Sequence, residues 1–312
     1  MKKAFLAMVL LVAGCGGGET AAAQTEPVTV TNCGAEVTFE KAPQRIVMLK
    51  SAAVPYLHDL GVMDRVTARA GQYPKDYYDA ATLAELDKVP LLTDKTDTRG
   101  HLQISKEVVI SQQPDLVLGE VDNLSRDTLS AVDIPLLEEP ALCDTTGAKP
   151  TFDDIYAQMT MYGKVFSRGE QATAAIDALK QRVSTITAKI GKTAAVLYPT
   201  VGGGVTYAYG NQSMADPQLK AAGLTNVFAD TEERVFEVTT EELLGRNPDI
   251  LILLYSDGDP KAVEQAVTGL PGAENLTAVK NGDVMPQLFN FTEPPSPLAV
   301  TGLERIVQRF GQ

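Results

Sequence analysis

The chain repeats one pattern, and that repeat limits the folds open to it. Glu107-Val-Val-Ile-Ser-Gln-Gln-Pro114-Asp115-Leu-Val-Leu and Glu241-Glu-Leu-Leu-Gly-Arg-Asn-Pro248-Asp249-Ile-Leu-Ile-Leu share the same order of parts, a Glu seven residues before Pro-Asp and then an apolar run. The residue before a proline avoids helical backbone, and a short β-branched and Leu run reads as a buried strand, so each copy is a helix feeding a strand. One copy is an ordinary connection. Two copies on either side of a helical stretch point to two halves built alike.

The rest of the body alternates in the same way. Val28 to Phe39 has the alternation of a hairpin; Arg45 to Leu49, the stretch around Val66, Leu116 to Leu118, Ile134 to Leu136 and Thr193 to Tyr198 read as short strands. Helices are expected from about Ala53 to Leu60, from Ser105 to Ser111 and from Pro297 to Phe310. This βα alternation predicts an α/β protein of two doubly wound, largely parallel halves with helices on both faces. Phe152, Ile155, Met159, Tyr162, Val165 and Phe166, then Ala172, Ile176, Leu179, Val183 and Ile186, recur at helical spacing. Residues 151–190 are therefore expected to form one long interlobe helix, or two in line with a kink at Ser167-Arg168-Gly169, between an N-terminal lobe (28–150) and a C-terminal lobe (191–312).

Twenty-seven Lys and Arg stand against 40 Asp and Glu, a net charge of −13. A nucleic-acid partner would require the opposite sign. With two His and three Cys, a multi-histidine metal centre or a thiol-rich scaffold has almost nothing to be built from, and no metal centre is expected.

Lys2 and Lys3 precede an apolar run, Ala4 to Ala13, too short to span a bilayer but long enough for a leader core. The following Val12-Ala13-Gly14-Cys15 resembles the lipobox of bacterial lipoproteins. That resemblance implies a leader of residues 1–14, a lipid on the Cys15 sulfur, and a body anchored on the extracytoplasmic face of the cell membrane. Residues 15–27 read as a flexible tether. In an oxidising compartment Cys33 and Cys143 are the thiols left over, and they are expected to be bonded to each other; the alternative is two buried free thiols.

The residues that open the body (NCGAEVTFEKAPQRIVMLKSAAVPYLHDLG), KEVVISQQPDLVL, the helical middle and TEELLGRNPDILIL together resemble the substrate-binding lipoproteins of ABC importers for ferric siderophores, cobalamin and haem, whose two lobes are joined by a long helix. The resemblance covers the whole exported chain. It implies a monomeric protein that captures an iron chelate in the ligand cleft between its two lobes and delivers it to a permease dimer, with Glu107 and Glu241 docking on permease arginines; Glu242 adjoins the second. It also implies that no cofactor belongs to the protein itself, the ligand being an Fe(III)-siderophore complex, with cobalamin or haem as the alternative cargo.

In doubly wound lobes, ligands sit where the carboxyl ends of the strands face one another. Tyr73, Tyr77, Tyr78, Tyr198, Tyr207, Tyr209 and Tyr255 fall at or just after expected strand ends, and tyrosine suits a rim both apolar and hydroxyl-bearing. Arg99, Arg234, Phe289 and Phe291 are further loop candidates; an Arg can bind the oxygens of a ferric chelate. His101 is a candidate axial haem ligand, and His58 reads as structural. The shortage of His argues against a bare metal ion as cargo. With few basic candidates and a strongly negative chain, a ferric hydroxamate is favoured over a triply anionic catecholate.

Enzyme motifs fail on inspection. There is no GxSxG or HExxH, Gly191-Lys192-Thr193 lacks the upstream Gly of a phosphate loop, and Gly202-Gly-Gly204 breaks the GxGxxG pattern at Tyr207. A secreted hydrolase and a surface lipoprotein without transport function are the competing classes.

Overall fold

The computed structural model describes residues 26–97, 101–143 and 149–311; the stretch expected to be a leader, Cys15, most of the expected tether and Arg99 lie outside them. The body opens with a hairpin, β1 (Val28–Asn32) and β2 (Ala35–Phe39), whose two-residue turn Cys33-Gly34 has positive φ at both positions, the geometry that matches strand twist. Cys33 is bonded to Cys143, as expected from the count of thiols. The bond closes a loop of 110 residues, worth roughly 4 to 5 kcal/mol of chain entropy.

The N-terminal lobe then runs β3 (Ile46–Met48), α1 (Val54–Asp59), β4 (Val66–Arg69), α2 (Ala80–Leu86), α3 (Lys106–Ser111), β5 (Leu116–Leu118), α4 (Arg126–Ser130) and β6 (Leu136–Leu137). Its sheet has the order β4-β3-β5-β6, parallel throughout. Both faces are covered, which is why the strands are apolar without alternation: Ile46, Met48, Leu116 and Leu118 pack on one side, Val47, Val117 and Leu136 on the other.

Between the lobes the structure departs from the expected single line of helix. α5 (Phe152–Val165) and α6 (Gly169–Thr185) are separated by a short turn with Ser167 at φ 54°, and they lie side by side, antiparallel. Lys180 Nζ stands 5.2 Å from the Tyr156 ring centroid, and near the turn a Cβ on Gly163 would come within 2.5 Å of the Ala172 Cβ. The helical spacing is real, but it describes two apolar stripes that face each other and the N-terminal core. Phe152 at the start of α5 packs on both cores, and α6 carries the chain from the first lobe to the second. It begins near the Phe166 end of the N-terminal lobe and ends where Ile186 and Ile190 pack on the second core. There Arg182 forms a bidentate pair with Glu304, at 2.8 and 2.7 Å.

The C-terminal lobe runs β7 (Thr193–Pro199), β8 (Thr206–Tyr209), α7 (Ala215–Ala221), β9 (Thr225–Asn226), β10 (Val235–Val238), α8 (Thr240–Arg246), β11 (Ile250–Tyr255), α9 (Pro260–Thr268), α10 (Thr277–Asn281), β12 (Val284–Leu288) and α11 (Pro297–Phe310). Its path is β10-β8-β7-β11-β12, with β9 beside the start of β7. β7, β11 and β12 are parallel, whereas β8 and β10 add an antiparallel edge that the sequence reading did not foresee. Among the described residues, no helix is long and apolar enough to cross a membrane.

The lobes share a core. Met214, Leu288, Phe291, Leu298, Ala299 and Val300 of the second half belong to the same buried cluster as Tyr56, Leu57, Tyr77 and Met159 of the first.

Candidate functional site

The carboxyl ends of the parallel strands of both lobes converge on one cleft. In the first lobe the strand order reverses direction at β3, so the crevice opens between the ends of β3 and β5. A chamber of about 330 Å³ lies there. Lys50 and Ser51 follow β3, Gln72 and Tyr77 follow β4, and Glu120 and Asp122 follow β5; from the second lobe Ser256 follows β11, and Phe289 and Asn290 follow β12. A second chamber of about 640 Å³ shares Leu142 with the first and continues past the disulfide to Lys149, Gln158, Gln212 and Arg234.

The polar groups on these walls are held by the fold. Lys50 Nζ is 2.9 Å from the Glu138 carboxylate, which is buried and also accepts the Glu120 backbone N–H at 2.8 Å. The Glu120 carboxylate in turn accepts the Arg126 backbone N–H at 2.7 Å. Between lobes, the Asn290 backbone N–H donates to the Tyr77 hydroxyl at 2.9 Å, and the Asn290 side-chain amide lies 2.9 Å from the Ser51 hydroxyl. Burial pushes the Tyr77 hydroxyl's pKa well up, so it remains a neutral partner at any working pH. Arg234 donates to the buried Glu293 at 2.9 Å, leaving the guanidinium about one-third exposed in the second chamber. Burial raises the Glu293 pKa against the pull of Arg234.

The residues singled out from the sequence divide. Tyr77, Phe289 and Arg234 line the chambers. Tyr198 stands just behind: its hydroxyl donates to Ser256 at 3.1 Å and its ring meets Phe289 edge-on, centroids 5.9 Å apart. Tyr207, its cross-strand partner, is exposed, and Tyr255 is partly buried between the cores of both lobes. Tyr73, Tyr78, Tyr209 and Phe291 are placed in the packing instead. Tyr73 spends its hydroxyl on the Met48 and Ala70 carbonyls, Tyr78 on the Ser51 carbonyl, and Tyr209 is buried beneath the C-terminal sheet. Phe291 lies between the Tyr77 ring and the Arg305 guanidinium. Arg99 lies outside the described residues. His58 is structural, Nδ1 to Glu85 at 2.6 Å, whereas His101 lines the first chamber. The polar residues directly behind β3, β5 and β11, namely Lys50, Ser51, Glu120, Asp122 and Ser256, were missed; reading the first residues after every parallel strand, rather than the tyrosines, finds them.

Away from the cleft, Glu107 and Glu241 are both exposed in the first turns of α3 and α8. The Glu107 backbone N–H, and after it the Ser105 hydroxyl, hold the Glu107 carboxyl below its ordinary range.

A family model described as periplasmic binding protein matches residues 46–286. The chain belongs to that family. A solved structure described as an ABC-type Fe3+-hydroxamate transport system, from Saccharomonospora viridis, is 54% identical, with a TM-score of 0.87 over 92% of this chain and 99% of that one. An uncharacterized ABC transporter substrate-binding lipoprotein of Bacillus subtilis is 25% identical and covers 98% of this chain and 94% of its own length. A catecholate-siderophore binding protein of Vibrio cholerae, at 20% identity and a TM-score of 0.67 over 91% of this chain and 99% of that one, shares the fold. The two-lobed α/β architecture, expected from the repeat and the βα alternation, and the assignment to the substrate-binding proteins of ABC importers, expected from the family resemblance, stand.

Proposed function

We propose that this protein captures a ferric hydroxamate siderophore outside the cell and hands it to the permease dimer of an ABC importer, working as a monomer tethered by a lipid on Cys15. The observation that carries the reading is the 54% identity to the Fe3+-hydroxamate transport protein over nearly the full length of both chains. The cleft supports it. Among the charged residues of the first chamber, Lys50 is already paired with Glu138 while Glu120 and Asp122 add negative charge, which disfavours a triply anionic catecholate and tolerates a neutral or cationic chelate. Tyr77, Phe289 and the Tyr198–Ser256 pair offer apolar area with hydroxyls, and Arg234 is the cation placed to meet chelate oxygens in the second chamber. Arg99, which lies outside the described residues, is proposed as a further ligand-binding cation. Tyr207 and Tyr255 are proposed as outer contacts, and no catalytic role is assigned to any residue. The body from residue 28 acts as two lobes joined by α6.

Glu107 and Glu241 are proposed to dock on permease arginines, where paired charges set orientation and association rate. The cargo is tested by native mass spectrometry of the full chain carrying Cys15→Ala, against ferric hydroxamates, ferric catecholates, haem and cobalamin. With no Trp in the chain, indole quenching has no reporter. Retention of a ferric hydroxamate is expected; retention of haem or cobalamin instead would overturn the cargo and keep the transport role.

A further inference from the structure

Asp97, His101 and Asp122 meet at the N-terminal wall of the first chamber. His101 Nδ1 lies 3.2 Å from Asp122 Oδ2 and 3.7 Å from Asp97 Oδ2. All three side chains offer a ligand atom within 4.8 Å of the others. The two segments that bring them together are tied by backbone bonds. Asp97 N–H donates to the His101 carbonyl at 2.9 Å and Gln103 N–H to Lys95 at 2.8 Å, while Val121 and Leu124 exchange bonds at 3.1 and 2.9 Å around Asp122. The other Asp97 oxygen, Oδ1, accepts the His101 backbone N–H at 2.9 Å.

One Nδ1–H serves one carboxylate, and the second, at 3.7 Å, is beyond hydrogen-bond reach. Even a protonated imidazole between two carboxylates leaves net negative charge at that point. A dication centred among the three atoms would balance the charge of the two carboxylates. With metal–ligand bonds of about 2.0–2.1 Å, the edges of a tetrahedral site are about 3.3–3.4 Å; the two separations from His101 Nδ1, 3.2 and 3.7 Å, bracket that length, and the two carboxylates lie within 4.8 Å of each other. One imidazole nitrogen with two carboxylate oxygens is a donor set for a zinc-class ion.

We propose that Asp97, His101 and Asp122 form a three-ligand site for a divalent transition-metal ion of the zinc class, with the fourth coordination position open to the cleft. The opening follows from place: His101 and Asp122 line the chamber, and their side chains are 50% and 64% exposed. The shortage of His excludes a multi-histidine centre but not a site that uses a single one. The proposal stands on this geometry and is independent of the hydroxamate reading.

The test is calorimetric titration of Zn2+ alone into the full, untagged chain in detergent after treatment with a chelator, with Co2+ absorption as a second readout. One saturable equivalent is expected, with a Co2+ spectrum of tetrahedral type. His101→Gln and Asp122→Asn, both exposed and away from the core, should each weaken Zn2+ binding by at least about tenfold at an unchanged melting temperature. Absence of a one-to-one isotherm in the wild type, or binding that survives either substitution unchanged, overturns the site.

Discussion

The Glu139 carboxyl is fully buried, and its hydrogen-bond partner is the neutral amide of Gln158, at 2.5 Å. Burial, with the neighbouring Glu138 charge, pushes it up to about 7, against the opposing Gln158 bond and Lys50. Because the folded value lies above that of the unfolded chain, near 4.3, the stabilising contribution is complete below that lower value and is lost as pH rises through about 7. The loss is on the order of 3 kcal/mol. Glu139→Gln, which keeps an acceptor for Gln158 and removes the charge, should therefore match the wild type in urea midpoint near pH 4 and exceed it at pH 8. A wild-type midpoint that tracks the variant across that range would show that Glu139 is not titrating in the fold. The same residue scale explains which tyrosines could be read from the sequence. Position after a strand selects Tyr77 and Tyr78 alike, yet one hydroxyl meets the second lobe and the other caps a carbonyl of its own lobe. That difference lies in where each ring turns, which a strand-end rule does not contain.

At the scale of elements, the repeated Pro-Asp acquires a physical reason. Asp115 accepts the backbone N–H groups of Gln44 and Arg45, both at 2.8 Å, and Asp249 accepts the Thr193 N–H at 2.9 Å and its hydroxyl at 2.8 Å. In each lobe the aspartate before one strand clamps the start of its neighbour, so the echo was legible because it encodes strand pairing. The helical hairpin was not. Apolar spacing reports that residues face a core, whereas the reversal between α5 and α6 rests on one positive φ at Ser167, a residue with no special liking for it. Another element contact is tight enough to test. An ideal Cβ on Gly302 would stand 1.7 Å from the Phe291 carbonyl oxygen, so α11 can approach the turn that carries Phe289 and Asn290 only with glycine there. Gly302→Ala should cost about 1–3 kcal/mol or more in denaturant unfolding and weaken ligand binding by displacing that turn. Unchanged stability would mean the helix and turn are not in contact. The first turns of α3 and α8 carry the two carboxylates proposed to dock on the permease: Glu107→Lys with Glu241→Lys should abolish uptake by cells while ligand affinity in solution is unchanged. A fall in affinity would move both residues from the permease face to the cleft.

For the whole molecule, the question is how far the lobes can move. Separate domains joined by a small polar interface move by default, whereas a large apolar interface resists it. Here one buried cluster runs from Tyr56, Leu57 and Tyr77 through Phe291 to Leu298 and Val300, and the Tyr77 and Phe291 rings meet edge-on with centroids 5.1 Å apart. Hydrogen bonds from Asn290 to Tyr77 and from the Tyr56 hydroxyl to the Pro295 carbonyl cross the same boundary, and α6 ties the two lobes through Arg182 and Glu304. Opening the cleft by a hinge would expose these rings to water, at about 25 cal/mol for every Å² uncovered, a cost that a ligand must offset from its own contacts. Small-angle scattering should accordingly give the same radius of gyration with and without a bound ferric hydroxamate. Phe291→Ala, which deletes the ring at the centre of the shared cluster, should cost about 3–5 kcal/mol and restore a ligand-dependent compaction. A wild type that already compacts markedly on ligand addition would show that the shared core parts in solution.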